Sequence, residues 1–321
     1  MIEQQHADWF SDWFNAVLNN VGTVIKGKTD QVAMALVCLF SEGHLLLEDM
    51  PGTGKTSLAK SIANSFSGSW NRIQFTPDLL PSDVVGGLIY HQGTGDFSFR
   101  PGPIFSNVVL ADEINRASPK AQSALLEVME ERHVTLDSET RPVPRPFVVI
   151  ATQNPVEQEG TYRLPEAQLD RFLMRTSLGY PDHDAEVDVL RSIAAGTSAE
   201  SVESIMALED VHRMIEIASR VHLEDSIRSY IVRLADYTRR MQELRLGAST
   251  RGCIAMMKCS RTLAASQGRV FVTADDVKTV APAVLGHRML RTPEAELRGT
   301  STDDLVERVL QSVEAPTTVR S

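Results

Sequence analysis

Cysteine is scarce in this 321-residue chain. Cys38, Cys253 and Cys259 show no Cys-x-x-Cys spacing, which argues against a metal site or a disulfide and leaves reduced structural thiols. The eight histidines are scattered, with no His-Glu-x-x-His pair, so no transition-metal site is expected. Long hydrophobic runs are also missing. None approaches the roughly 18 apolar residues needed to cross a bilayer, and the opening Met1-Ile2-Glu3-Gln4-Gln5 lacks the basic start of a signal peptide. A cytoplasmic location without a membrane span is the expectation. Basic excess is absent as well: the net charge is −10, which argues against broad binding to nucleic acid or anionic lipid and leaves room only for a local basic patch. What remains is an ordinary globular composition, 42% hydrophobic and 23% charged, in a chain long enough for two domains with proper cores.

The chain is organised around His44 to Thr56. Leu45 to Leu47 read as a short buried strand, Pro51-Gly52-Thr53-Gly54 as a turn, and Ser57 to Ala63 as the start of a helix. Strand, glycine loop and helix in that order are the context of a phosphate-binding loop. Gly52 and Gly54 let the backbone curl so that its N–H groups face phosphate oxygens. Lys55 would reach the β- and γ-phosphates, Thr56 would hold Mg²⁺, and the helix N-terminus adds its positive dipole end. The strict pattern wants glycine where Asp49 stands, a departure that bears on nucleotide affinity.

Downstream, Val108 to Ala111 is an apolar strand delivered straight into Asp112-Glu113. Asp112 would hold Mg²⁺, mostly through water, and Glu113 would orient and polarise an attacking water. Ser118-Pro119 reads as a helix start, followed by Ala121, Ala124, Leu125, Val128 and Met129 at helical spacing. Another buried strand, Phe147 to Ala151, ends in Thr152-Gln153-Asn154-Pro155, which sets a polar amide beside a γ-phosphate in a parallel sheet. Leu164 to Phe172 is a short helix carrying an arginine. Two glycine- and proline-punctuated stretches, about 77–105 and 131–146, read as hairpin inserts; Arg132, Arg141 and Arg145 in the second are either partner contacts or a solvated surface. Near the start, Trp9-Phe10 and Trp13-Phe14 with Val17-Leu18 form one apolar helix face, read as packing on the domain behind it. From about residue 182 five helical stretches follow with no convincing strand, then a polar tail with one weak helix near 303–313 that is expected to fray.

On these residues the chain resembles the AAA+ ATPases and, within them, the MoxR family. The carriers are Pro51 to Thr56, Leu110 to Ala117, Ala151 to Pro155, Leu164 to Phe172 and Gly247 to Arg251, in order along about 21–291. The resemblance implies an α/β core with a parallel sheet flanked by helices and a C-terminal all-helical lid. Domains are expected at 1–20 (N-terminal aromatic helix), 21–181 (nucleotide-binding core with both inserts), 182–292 (lid) and 293–321 (polar tail). It implies ATP and Mg²⁺ as ligands, with Pro51, Gly52, Thr53, Gly54, Lys55, Thr56 and Ser57 around the phosphates. Thr56 and Asp112 would serve the metal, Glu113 catalysis, and Asn154 the sensor 1 position. Arg251 looks like sensor 2, reaching the γ-phosphate from above. Arg171 looks like an arginine finger supplied to a neighbour, with Arg163 and Arg175 as nearby alternatives. A trans-acting arginine implies a ring, so a homo-oligomer, a hexamer by resemblance.

The functional expectation is an ATP-hydrolysing, chaperone-like remodeller that matures or activates a client, with a von Willebrand factor A domain protein as partner. The alternatives are a magnesium chelatase or Rubisco-activase-like motor subunit, or a nucleic-acid-dependent ATPase. The acidic charge and the near absence of basic residues in the first insert, where only Arg100 falls near the end, weigh against nucleic acid.

Overall fold

The computed structural model describes residues 2–93, 95–137, 139–154, 162 and 164–316. Pro155 and Arg163, both singled out above, lie outside the described residues.

The first unit opens with α1 (Gln4–Gly22) and α2 (Thr29–Phe40), then β1 (Leu45–Glu48), α3 (Lys55–Ser65), β2 (Trp70–Gln74) and α4 (Pro81–Val85). A hairpin of β3 (Gly86–His91) and β4 (Asp96–Pro101) follows, then β5 (Val108–Asp112) and α5 (Pro119–Glu131). A second hairpin, β6 (His133–Leu136) and β7 (Glu139–Pro142), leads to β8 (Val148–Gln153), α6 (Glu166–Leu169) and β9 (Met174–Thr176). Five strands form one parallel sheet in the order β2-β5-β8-β1-β9. Its central strands are apolar on both faces because helices cover both: Leu45 to Leu47, Val108 to Ala111 and Val148 to Ala151 are all buried. Two elements add to the expected core. α4 and β9 span only five and three residues, too few to show a period.

The second unit comprises α7 (His183–Ala194), α8 (Leu208–Ser219), α9 (Asp225–Arg240), β10 (Leu244–Leu246), α10 (Thr250–Ser266), α11 (Ala274–Leu285), β11 (Leu290–Arg291), α12 (Pro293–Leu297) and α13 (Thr302–Ser312). The five expected helices are present. Two expectations are corrected. The unit is not strand-free, since β10 pairs antiparallel with β11. The tail does not fray where expected: Leu305, Val306 and Val309 of α13 are buried, and Ser301 and Asp304 form a capping box.

The aromatic helix α1 docks on its own chain. Phe10 and Phe14 meet Phe40 of α2 at ring distances of 5.7 and 6.0 Å. Ser11 Oγ donates to the Ser266 carbonyl of α10 (2.9 Å), while Asn20 Nδ2 donates to Ser65 Oγ of α3 (3.1 Å). Arg213 of α8 lies 4.3 Å from the Trp9 ring centre. One helix therefore fastens both units.

The two hairpins touch each other: the Arg141 guanidinium stands 4.4 Å from the centre of Phe99, which also packs on Phe105. Register pairs Tyr90 with Phe97, and both rings are exposed, Phe97 by 66%. Arg132 is tied to its own chain and half-buried. It caps α5 in the left-handed region (φ 60°) and donates to the carbonyls of Phe147 (2.6 Å) and Glu42 (2.7 Å). The three cysteines are free thiols, and burial pushes Cys259 up to about 12.

Buried His44 immediately precedes β1. Its Nε2 donates to the Met129 carbonyl and its Nδ1 accepts from the Val149 amide, both at 3.0 Å. Burial first, then the Arg132 charge, pushes its pKa down to about 3. His287 is pushed well down by burial and then by Arg288. The unfolded chain takes up these protons near pH 6.5 and the folded chain does not, so their stabilising effect is full above that pH and declines as pH falls toward the folded values. Between about pH 6.5 and 5.5 the two histidines together should cost about 2 kcal/mol. Urea unfolding at both pH values checks this. The slope should be shallower in His44→Gln, and an unfolding midpoint insensitive to pH over that window would refute it.

Candidate active site

The loop Pro51–Gly54 leaves β1 at the carboxyl edge of the parallel sheet, beside the ends of β5 and β8. There a cavity of about 420 Å³ is lined by Asp49, Pro51 through Ser57, Asp112, Glu113 and Asn154, together with Arg72, Gln74, Thr152 and Gln153. The carboxyl edge of an open α/β sheet is where such folds bind ligands. Gly52 and Gly54 have φ of +86° and +88°, a region that side chains other than glycine rarely enter. The turn they make lets α3 begin at Lys55, so its unpaired first amides open toward the cavity. Lys55 Nζ donates to the carbonyls of Asp49 (3.2 Å) and Met50 (2.8 Å).

Asp49, the departure from the glycine pattern, has a structural role. Its buried carboxylate accepts from Ser177 Oγ (2.7 Å), the Leu178 amide (2.7 Å) and the Gly179 amide (2.8 Å). It ties the loop after β1 to the chain leaving β9. Glu48 makes a second tie, pairing with Arg175 at 3.0 Å and accepting from Gln153 Nε2.

The acidic pair is held by residues that the sequence motifs do not reveal. Arg72 of β2 clamps Asp112 Oδ2 through Nη2 (2.5 Å) and Nε (3.2 Å), and Thr152 Oγ1 donates to Asp112 Oδ1 (2.6 Å). Glu113 has a left-handed backbone (φ 56°), and its amide donates to Thr152 Oγ1 at 2.8 Å. Its Oε2 accepts from Gln74 Nε2 (2.9 Å) and Arg116 Nη1 (3.0 Å). Arg72 and Gln74 are signalled only as polar residues two apart on a strand; their role appears once β2 pairs with β5, with Gln74 opposite Asp112. For Mg²⁺ the donor set fits. The Thr56 hydroxyl and the Asp112 carboxylate share the cavity, and the described residues hold no cluster of three His, Cys, Asp or Glu that would cage a metal alone. An ion that keeps its waters and takes phosphate oxygens suits such a site.

Arg171 and Arg251 do not join this cavity. Arg251, expected to reach a γ-phosphate from above, pairs here with Glu130 of α5, and Arg171 pairs with the same Glu130 at 3.1 Å. Both line a second cavity, of about 370 Å³, at the seam between α5, α10 and the segment after α6, sharing no lining residue with the first. The lid is seated on the core by Arg288, whose Nε donates to Asp170 Oδ1 (2.7 Å) and whose Nη2 donates to the Phe172 carbonyl (2.7 Å). That seat fixes the start of α10 over α5, away from the glycine loop. Arg175 is engaged by Glu48 and Thr302 of its own chain.

Comparison with known proteins agrees with this geometry. The family model described as "ATPase family associated with various cellular activities (AAA)" matches residues 44–174, and that of the AAA lid domain matches 236–309. The fold and its glycine loop define an ATPase of that class. The chain belongs to the MoxR family of AAA+ ATPases. It is 46% identical to YeaC of Bacillus subtilis (strain 168), described as uncharacterized, over 93% of each chain. It is 42% identical to Chaperone MoxR1 of Mycobacterium tuberculosis, over 92% of this chain and 80% of that one. A crystal structure of a candidate ATPase from Cytophaga hutchinsonii superposes with a TM-score of 0.91 at 38% identity, covering 98% of both chains. Likeness to chelatase subunits is far more distant.

Replacing Asp49 by alanine removes the acceptor of the buried Leu178 amide, the half-buried Gly179 amide and the Ser177 hydroxyl. A loss of about 3 kcal/mol follows from removing hydrogen bonds to a charged acceptor. Thermal and urea unfolding of Asp49→Ala measure it. A loss below about 1 kcal/mol, the size of one ordinary hydrogen bond, would show that the tie between β1 and β9 is dispensable.

Proposed function

We propose that this protein is an ATP-hydrolysing motor whose site is completed by a second copy of the chain. The reading rests above all on the separation just described. The glycine loop, Asp112, Glu113 and Asn154 share one cavity, whereas Arg171 and Arg251 share another. Two arginines that stand outside their own chain's glycine-loop cavity are suited to serving a neighbour's nucleotide, and a repeated head-to-tail contact of that kind closes into a ring. A hexamer is the size the family resemblance favours.

In this reading the amides of Gly52 to Thr56 and the Lys55 ammonium hold the β- and γ-phosphates. Thr56, and Asp112 through water, would hold Mg²⁺, which would offset phosphate charge. Water attacks the γ-phosphorus as its bond to the β,γ-bridging oxygen breaks, releasing ADP and phosphate. Glu113 orients that water and accepts its proton, while the Asn154 amide steadies it against the γ-phosphate. Gln74 and Arg116 hold Glu113 by one oxygen, which fixes the carboxylate's direction. Arg171 and Arg251 of the adjoining copy stabilise the charge that develops on the transferred group.

The work goes to a protein client. The hairpin face built by Leu88, Tyr90 and Phe97 is exposed and apolar, the kind of surface that grips polypeptide rather than polyphosphate. The family resemblance further supports maturation or activation of a client enzyme, with a von Willebrand factor A domain protein as partner.

The test is ATPase rate per subunit against protein concentration. The rate should rise with concentration. Glu113→Gln should lower it about 10²–10⁴-fold with nucleotide binding retained, and Arg171→Ala should lower it about 10³-fold or more. A rate that is flat with concentration and indifferent to Arg171→Ala would sink the shared-site reading.

A further inference from the structure

The seam cavity holds more positive charge than two arginines account for. Six cationic side chains line it (Arg132, Arg145, Arg171, Arg251, Lys258 and Arg288) against three carboxylates, Glu42, Glu130 and Asp170, in a chain whose net charge is −10. Most of these cations are committed. Arg132 is spent on carbonyls, Arg288 on Asp170, and Arg171 and Arg251 share one carboxylate. Arg145 stands 3.6 Å from Glu42. Lys258 is different. It is exposed and lines the cavity, and its ammonium has no hydrogen-bond or ion-pair partner among the described residues.

Lys258 also belongs to a stripe. Arg251, Ile254, Ala255 and Lys258 of α10 all face the cavity, at the i, i+3, i+4, i+7 spacing of one helix face. Seven positions along the helix set the two cations about 10 Å apart along the axis, within the joint reach of two long side chains, with Ile254 46% exposed between them. An unpaired ammonium beside two guanidiniums that share one carboxylate makes a pocket short of negative charge. A multiply charged phosphate group supplies it.

We infer that the seam cavity is an anion site and that Lys258 is a third cation, beside Arg171 and Arg251, for the terminal phosphates of the nucleotide held in the glycine loop of an adjoining copy of this chain. The inference rests on the shared-site reading above. Its own content is that α10 carries two phosphate contacts rather than one, the second at Lys258.

The test mixes variants of the full chain. Lys258→Gln alone should lower the ATPase rate about 10²-fold without changing nucleotide affinity measured on dilute protein, and Lys258→Arg should restore most of the rate. Glu113→Gln is inactive in its own glycine-loop site but still offers Lys258 to a neighbour, so mixing it in equal amounts with Lys258→Gln should regain activity that neither variant has alone. An Arg171→Ala and Glu113→Gln mixture is the control. If that control regains activity and the Lys258 mixture does not, Lys258 does not act across the boundary and the inference falls while the shared-site reading stands. If neither mixture regains activity, the shared-site reading fails and takes the inference with it. A Lys258→Gln rate equal to that of the unaltered protein overturns the inference outright.

Discussion

The nucleotide site depends on parallel pairing. Because β1 lies between β8 and β9, and β8 beside β5, three strands deliver their carboxyl ends to one edge. The register is specific: Leu45 pairs with Ile150, which also pairs with Leu110. A slip of one residue on β5 would turn Asp112 to the opposite face of the sheet. The burial that fixes the register is symmetrical, with apolar side chains above and below, so the sheet's packing enforces the chemistry at its rim. Buried His44 strengthens this at the other end of β1, where its two ring nitrogens lock β8 and α5 to the strand's start.

Glu130 plays the matching part at the seam. A single carboxylate at the end of α5 holds Arg171, from the core, and Arg251, from the lid. It keeps two long cations together without neutralising both, so each keeps charge to offer. The same α5 ends at Arg132, whose guanidinium anchors the second hairpin to the sheet, and Arg141 on that hairpin rests on Phe99 of the first. Seam and hairpins are thus joined through one helix.

Much of the site was legible in the sequence because it is local. Lys55 and Thr56 follow the glycines directly, and Asp112 and Glu113 end a strand, so chain order alone brings each set together. Arg72, Gln74 and Thr152 were not legible, since their meaning depends on which strands are neighbours. Nothing in Trp70 to Gln74 announces pairing with β5. The surroundings of Arg251 were not legible for a related reason: a helix start can be read from Ser249 and Thr250, but the angle at which a helical unit sits is set by Arg288 and Asp170, 118 residues apart. The expected tail failed because a polar composition concealed a short apolar face at Leu305, Val306 and Val309 that is covered by α9, α11 and the turn at 286–288.

α1 lies across both units like a splint. Its Phe10 and Phe14 pack on α2, and its polar edge is bonded to α10 on one side and α3 on the other. Swinging the lid away from the core would strip α1 from one bed or the other, exposing aromatic rings whose burial stabilises by roughly 4 kcal/mol each. A single copy is therefore stiff along its length. If such stiff copies met through the shared site proposed above, the compliant joints would be the contacts between neighbours, and a change at one of them would turn whole copies against one another.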